Sequence, residues 1–492
     1  MNSNLRKGVT SSVLLVASAF AQKLVGLVST LILARVLMPE DFGIVAIASL
    51  MVGFIEILSN TGSAQYLLRV DDLDKEKVDT AWTINLIIKS SMSFIMLIAS
   101  FFIAQLYGDP RLTPVLISLT LVFFLYSFYS PGVIFLKRTQ NYSKLVKLTI
   151  ITKFFSVTAA VTAALLLKSY WALVIGQAIN ALLMIIGTHI IYPYKLRLRL
   201  SNAAEQWKFS GWMIPQSIFG YCRSQLDTFL ISSSFGPATL GSYHTMKYIA
   251  FIPSLQIIQP ISEPFLVELA NIKNTGAYFT KQFKASFLLL MMIALPISAL
   301  MYKHHNSITA LLLGDNWVEY SYLMAAFGLL VPAFVMLGHA SRALLVYGKT
   351  KQLFFYQCLS FTVVYGTIIQ IGMSEIKLFA FALSGMENIV TFCFFYFILI
   401  RYTGFKSALS FLISVMPLFL SVFLAQFASG YWTSINVGTF VKLVCITATF
   451  FVVFLLVIFL CYVLGFKRFN EWRYLQELIS RSLKPIVSKV LS

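Results

Sequence analysis

Eight basic residues stand inside otherwise apolar stretches of the sequence: Lys23, Arg35, Lys89, Lys153, Arg223, Lys247, Arg342 and Lys442. A cation is costly in hydrocarbon, so such residues face a wet cavity or a partner, and the chemistry open to them is the binding of an anionic group. Lys23 and Arg223 lie near the middles of the first helices of two halves of the chain and lead this set, with Lys247 next. Lys89 and Lys153 fall in the inner third of their helices, where they either snorkel or draw an anion into a cavity open to the cytoplasm. Arg35 is a further cavity candidate close to an outer helix end, while Arg342 and Lys442 are placed to snorkel.

Glu56, Asp227 and Glu387 are the acidic counterparts, able to take a proton or sodium ion if buried with a raised pKa. Asp227 follows Arg223 by four residues, so on one helical face it is also a structural ion-pair partner. Glu263 reaches only the inner interface. No cofactor is expected beyond coupling to a proton or sodium gradient. His189, His244, His304, His305 and His339 lack paired-ligand spacing and read as solvated or helix-end residues, with no metal. Cys222, Cys358, Cys393, Cys445 and Cys461 lie in apolar segments without a CxxC pattern, so neither a disulfide nor a metal site is expected.

The elements that must position these charges are membrane helices. Of 492 residues, 58% are hydrophobic, 15% aromatic and 12% charged, with a mean hydropathy of +0.81; soluble chains carry about twice that charged share. The formal net charge of +19 is scattered between apolar runs and not gathered on one face, which argues against a nucleic-acid partner. A crossing needs roughly 20 apolar residues. Windows of that kind begin near Ser12, Phe42, Thr80, Pro114, Lys147 and Tyr170, then near Gly211, Gly241, Lys284, Tyr320, Leu353 and Leu378, with two more over residues 408–428 and 439–464. The basic start runs into an apolar stretch too long for a signal peptide, which reads as the first membrane helix.

The expected architecture is an all-α polytopic membrane protein of about fourteen transmembrane helices. Residues 1–194 form a six-helix lobe, 195–210 a basic cytoplasmic linker, 211–402 a second six-helix lobe, 403–464 two appended helices and 465–492 a basic amphipathic tail on anionic lipid. Alternate connections hold the lysines and arginines, among them Lys137 and Arg138, then Lys195 and Arg197, then Lys349 and Lys351, then Arg401 and Lys406. The opposite connections offer Arg111, Lys168, Lys303 and Lys377, so both termini are placed in the cytoplasm. Laying one six-helix block on the other brings Pro39 onto Pro237 and Gly43 onto Gly241, each pair where a first helix turns outward into a second. Six plus six implies a parallel repeat and a cavity between two bundles.

The run Ile32-Leu33-Ala34-Arg35-Val36-Leu37-Met38-Pro39-Glu40-Asp41-Phe42-Gly43-Ile44-Val45-Ala46 closely resembles the first-helix exit of the polysaccharide transporter (Wzx-type oligosaccharide flippase) family. Further matches are Leu58-Ser59-Asn60-Thr61-Gly62-Ser63-Ala64, Asp227-Thr228-Phe229-Leu230-Ile231-Ser232 with Gly236 and Gly241, and Leu311-Leu312-Leu313-Gly314-Asp315-Asn316-Trp317, which together resemble its colanic-acid-exporter branch. The resemblance implies the multidrug/oligosaccharidyl-lipid/polysaccharide exporter fold and a bacterial inner-membrane flippase, not an enzyme. Its implied substrate is an undecaprenyl-pyrophosphate-linked oligosaccharide, entering a cationic cavity by alternating access. Implied surroundings are membrane lipids and the polysaccharide polymerase and export machinery, with the chain itself monomeric. The competing readings are a cation-coupled drug or metabolite antiporter, which would be less cationic and lack the appended pair, and a membrane enzyme of polysaccharide assembly. The enzyme would need a sizeable extramembrane loop and a carboxylate or histidine cluster.

Overall fold

The computed structural model describes residues 3–477 except 71, 140, 202, 273, 372–373 and 436–437. All regular structure among these residues is helical. The chain divides into two compact units, Met1–Thr245 and Met246–Ser492.

The first unit holds α1 (Ser3–Val36), α2 (Pro39–Leu58), α3 (Ser63–Arg69), α4 (Lys75–Tyr107), α5 (Leu112–Leu125), α6 (Val133–Arg138), α7 (Ser143–Leu167), α8 (Trp171–Ile191), α9 (Ala203–Ser234) and the start of α10 (Pro237–Pro253). The helix starts follow from local chemistry. Pro39 occupies the first turn of α2, where its missing N–H is harmless, and Glu40 and Asp41 place negative charge against the positive end of the helix. Asp74 caps α4 by accepting from the Lys77 N–H at 2.7 Å, and α4 ends at Gly108 with φ +65°, a conformation that favours glycine. In this unit α7 packs on α8 and α1, while α2 packs on α5 and α9.

The second unit holds α11 (Gln259–Asn271), α12 (Ala277–Lys303), α13 (His305–Leu312), α14 (Tyr322–Gly328), α15 (Leu330–Val346), α16 (Thr350–Ile371), α17 (Ile376–Thr403), α18 (Phe405–Ser429) and α19 (Thr439–Leu464). Between α10 and α11 the helix widens into a π turn at Ser254–Ile258, with the Gln259 N–H reaching back to the Ser254 carbonyl. Pro253 and Pro260 flank it, and a proline nitrogen that cannot donate breaks the ordinary ladder there. The core packs α12 against α15 and α18 around Phe283, Phe287, Phe395 and Phe411. His339 sits inside this aromatic cluster, fully buried, with Nε2 2.8 Å from the Phe283 carbonyl and its ring 4.4 Å from that of Phe283. The histidine is therefore neither solvated nor at a helix end, because the one backbone carbonyl it bonds is enough to satisfy one ring nitrogen inside an apolar core.

Among the described residues, eleven helical stretches are long and apolar enough to cross a membrane, and Leu112–Phe128 is a shorter apolar one. The two other stretches in which the sequence suggested crossings, Ala203–Ser234 and residues 237–271, are helical but outside that set. The first carries Gln206, Arg223 and Asp227, and the second has four prolines in addition to Lys247, which lowers their hydropathy.

Of the basic tail, residues 478–492 lie outside the described residues. Its first helical turns turn their apolar side into the protein: Trp472 and Leu475 are buried, Trp472 Nε1 donates to the Ser414 carbonyl at 2.8 Å, and the hydroxyl of Tyr474 meets that of Tyr278 at 3.0 Å.

Candidate functional site

Inside the first unit, the facing sides of α2, α4 and α5 enclose a cavity of about 480 Å³. Each helix contributes one stripe at helical spacing: Ser49, Val52, Gly53 and Glu56 from α2; Trp82, Asn85 and Lys89 from α4; Leu119, Val122 and Phe123 from α5, with Tyr126 just past its end. Gln177 of α8 and Lys137 of α6 add to its polar lining. The polar groups are held in place. Trp82 Nε1 donates to the Ser127 carbonyl at 2.9 Å, the Asn180 amide donates to the Tyr126 hydroxyl at 3.1 Å, and the Thr61 hydroxyl donates to Asn85 Oδ1 at 3.4 Å. Lys89 Nζ lies 5.7 Å from the centre of the Phe123 ring, and Glu56 is the opposite charge that acts on it. A cation in the membrane interior is thus offset by a ring face and a carboxylate while still lining open space, which is what binding an anion requires. Aromatic faces beside amides and hydroxyls are the surface a sugar ring fits, with its C–H face on the ring and its hydroxyls on the amides.

Of the residues singled out from sequence, the fold brings Glu56 and Lys89 together here. Lys23 and Arg35 are exposed on α1, Lys153 is half-buried on α7, and Arg223 is half-buried on α9 two residues after Tyr221, whose hydroxyl donates to the Leu50 carbonyl at 2.6 Å. Asp227 is buried and accepts from the Tyr243 hydroxyl at 2.7 Å and from the Thr228 N–H at 2.8 Å. Lys247 and Glu387 are half-buried in the second unit. Arg342 there donates to the Ser262 hydroxyl, and Lys442 to the Thr433 carbonyl at 3.1 Å. Sequence reading passed over Trp82, Asn85, Tyr126 and Gln177, and took Lys137 only as a loop charge that sets orientation. The signal was present, since Trp82 and Asn85 share the face of Lys89 at spacings of seven and four residues.

A second feature lies at the opposite end of α2. The two Pro-x-x-x-Gly elements pack on each other reciprocally: a Cβ on Gly43 would land on the Pro237 carbonyl, and one on Gly241 would land on the Pro39 carbonyl and the Gly43 backbone. Only glycine at both positions lets the backbones meet this closely. Side chains tie the same end together. Arg111 bonds Glu40 at 2.5 Å and Asp109 at 2.8 Å, Asp41 accepts from the Tyr170 N–H at 2.9 Å, and the Tyr107 and Ser232 hydroxyls meet at 2.8 Å. The bond from Arg111 holds the Asp109 carboxyl below the usual carboxylate range, and the two carboxylates raise the Arg111 guanidinium.

These features define a polytopic helical membrane protein with a polar, charged cavity inside a helical bundle of its first unit. In fold, the chain is similar to the lipid II flippase MurJ in an inward closed conformation, at a TM-score of 0.71 and 14% identity, covering 92% of this chain and 99% of that one. It is also similar to an inward-facing multidrug resistance MATE family transporter of the MOP superfamily, at a TM-score of 0.51 and 12% identity over 78% and 95% of the two chains. The chain belongs to the family described as polysaccharide biosynthesis protein, which matches residues 32–322. Among its relatives, lipopolysaccharide biosynthesis protein WzxC of Escherichia coli (strain K12) is 20% identical over 304 residues, 59% of this chain and 60% of that protein. Succinoglycan biosynthesis transport protein ExoT of Rhizobium meliloti (strain 1021) is 26% identical over 232 residues, 47% of each chain. The chain thus spans about half to three-fifths of the length of these curated relatives. It is a multi-pass protein of the bacterial inner membrane.

Proposed function

We propose that the protein is a flippase that moves an undecaprenyl-pyrophosphate-linked oligosaccharide repeat unit from the cytoplasmic to the periplasmic leaflet, for exopolysaccharide, capsule or O-antigen assembly. The observation that carries this reading is the cavity of the first unit, where Lys89 and Lys137 stand beside Trp82, Tyr126, Asn85 and Gln177: cations for a pyrophosphate, and aromatic faces and amides for sugars. Membership of a polysaccharide biosynthesis family and the likeness to relatives named for transport and flipping support it.

The chain crosses the membrane fourteen times with both termini in the cytoplasm, which puts Lys137 at the inner end and the Pro-x-x-x-Gly contact at the outer end. Access alternates: with the outer contact closed, the headgroup enters from the cytoplasm, and the polyprenyl tail stays in lipid because exposing it would cost about 0.8 kcal/mol per CH₂. Glu56 competes with the substrate anion for Lys89, so protonation of Glu56, or a sodium ion on it, would release Lys89 to the substrate; Asp227 and Glu387 are further coupling candidates. No covalent chemistry is involved.

The test is to disrupt the gene in its native host, assay polyprenyl-linked glycans on each membrane face, and compare rescue by the intact protein with rescue by Lys89→Ala, Lys137→Ala, Arg223→Ala and Lys23→Ala. Lipid-linked repeat units accumulating toward the cytoplasm, with surface glycan lost and poor rescue by the Lys89 and Lys137 variants, is the expected result. Unchanged lipid-linked pools would refute the flippase reading. Full rescue by Lys89→Ala and Lys137→Ala would remove this cavity from the mechanism.

A further inference from the structure

The second unit carries a groove that the transport reading does not use. It lies between the antiparallel helices α16 and α17 and encloses about 600 Å³. Its floor is rigid: the Tyr356 and Phe394 rings stack 3.6 Å apart at 12°, and the Tyr356 hydroxyl meets that of Thr391 at 3.1 Å. Its walls are apolar and open, with Phe355, Leu359, Ile389 and Phe397 each more than half exposed.

Polarity is confined to one end, where Gln352 and Arg401 line the groove and Lys351 lies over the Phe355 ring at 5.9 Å. Gln352 Oε1 is buried there without a hydrogen-bond partner among the described residues. From Gln352 to Val363 along α16, or from Arg401 to Ile389 along α17, the helical rise gives a length of roughly 16–18 Å. That is the depth of a single leaflet, about half of a ~30 Å hydrocarbon core.

We infer that this groove is a binding site for one anionic phospholipid of the cytoplasmic leaflet, with an acyl chain on the Tyr356–Phe394 floor, its phosphate on Arg401, and a headgroup hydroxyl donating to Gln352. The leaflet assignment rests on the orientation set by Lys349, Lys351, Arg401 and Lys406 at that end of the two helices. Apolar contact alone cannot select this occupant, because lipid tails are as apolar as the side chains they would replace. Selection comes from the charged end and from the length. A zwitterionic headgroup would bring its ammonium against Arg401 and Lys351, and a long polyprenyl chain would run on past the end of the groove. A glycerol headgroup supplies both the phosphate and the hydroxyl donors, so phosphatidylglycerol is the chemistry that fits.

The experiment is native mass spectrometry of the full chain released from nanodiscs of equimolar phosphatidylglycerol and phosphatidylethanolamine, with and without undecaprenyl phosphate. Intact protein, Arg401→Gln, Leu359→Trp and the control Leu409→Trp, an exposed position on α18, are compared. The expected result is one retained phosphatidylglycerol, at least threefold enriched over phosphatidylethanolamine, lost in Leu359→Trp and kept in Leu409→Trp, with equal melting temperatures. Arg401→Gln alone is expected to lose the headgroup preference and keep weak retention of either lipid. Equal retention of both lipids by the intact protein, or displacement of phosphatidylglycerol by undecaprenyl phosphate, would overturn the inference. Neither outcome bears on whether glycan is flipped, which is read separately from the lipid-linked pools.

Discussion

Gly241→Ala is the substitution that most directly tests the contact between the two Pro-x-x-x-Gly elements. The added Cβ would fall on the Pro39 carbonyl and on the Gly43 backbone, atoms that cannot rotate away as the tip of a side chain can. Restoring ordinary carbon contacts requires the two elements to part by on the order of 1–2 Å. Overpacking of this kind costs about 1–3 kcal/mol, which corresponds to a roughly 5- to 150-fold shift away from the closed arrangement. Ser242 reports on it: it is fully buried beside Gly241, and its hydroxyl has no hydrogen-bond partner, so Ser242→Cys is a nearly isosteric probe. Placed in a background with Cys222, Cys358, Cys393, Cys445 and Cys461 replaced by serine or alanine, Ser242→Cys should react slowly with a membrane-impermeant maleimide added from outside. Addition of Gly241→Ala should raise that rate at least fivefold and depress surface glycan. Gly43→Ala should do the same, since its Cβ meets the Pro237 carbonyl. An unchanged labelling rate together with unchanged glycan would refute the claim that this contact closes the outer end.

Three further outcomes follow from other parts of the molecule. Asp109 is held below its ordinary pKa by Arg111, so its stabilisation is present above about pH 4 and lost as pH falls through the lowered folded value; Arg111→Ala should abolish that acid-dependent part of the melting temperature, while at neutral pH it costs only about 0.2–1 kcal/mol. Burial, with Lys303 and His305 adding to it, pushes His304 down to about 4; the unfolded chain takes up this proton first, so stability is complete above pH ~6.5 and is lost as pH falls toward 4, and a pH series of thermal melts should flatten in His304→Gln. Trp472→Ala removes a buried indole and its bond to the Ser414 carbonyl, which should cost about 3–5 kcal/mol and lower the melting temperature measured in detergent; no change would place residues 470–477 off the protein surface.

Much of the fold was legible in the chain itself. Eleven of the expected spans followed from runs of apolar residues, because hydrocarbon admits only helices with paired backbones. The two Pro-x-x-x-Gly elements were legible at Pro39, Gly43, Pro237 and Gly241, and the family from the motif around the first of them. That these two elements dock on each other was not, because a glycine marks a close approach without naming its partner. Glu56 and Lys89 were each conspicuous as charges in apolar sequence, yet their meeting across one cavity with Trp82, Tyr126 and Gln177 depends on which faces of α2, α4, α5 and α8 turn toward one another. His339 looked like a polar residue in want of water, and the aromatic core around Phe283 supplied it with a carbonyl instead. Composition and spacing thus determine that a segment is fit to enter the membrane, since that is set by the segment's own transfer free energy. Which charges share a cavity and which backbones touch is decided only when helices distant in sequence pack, because that depends on the rotation of every helix about its own axis.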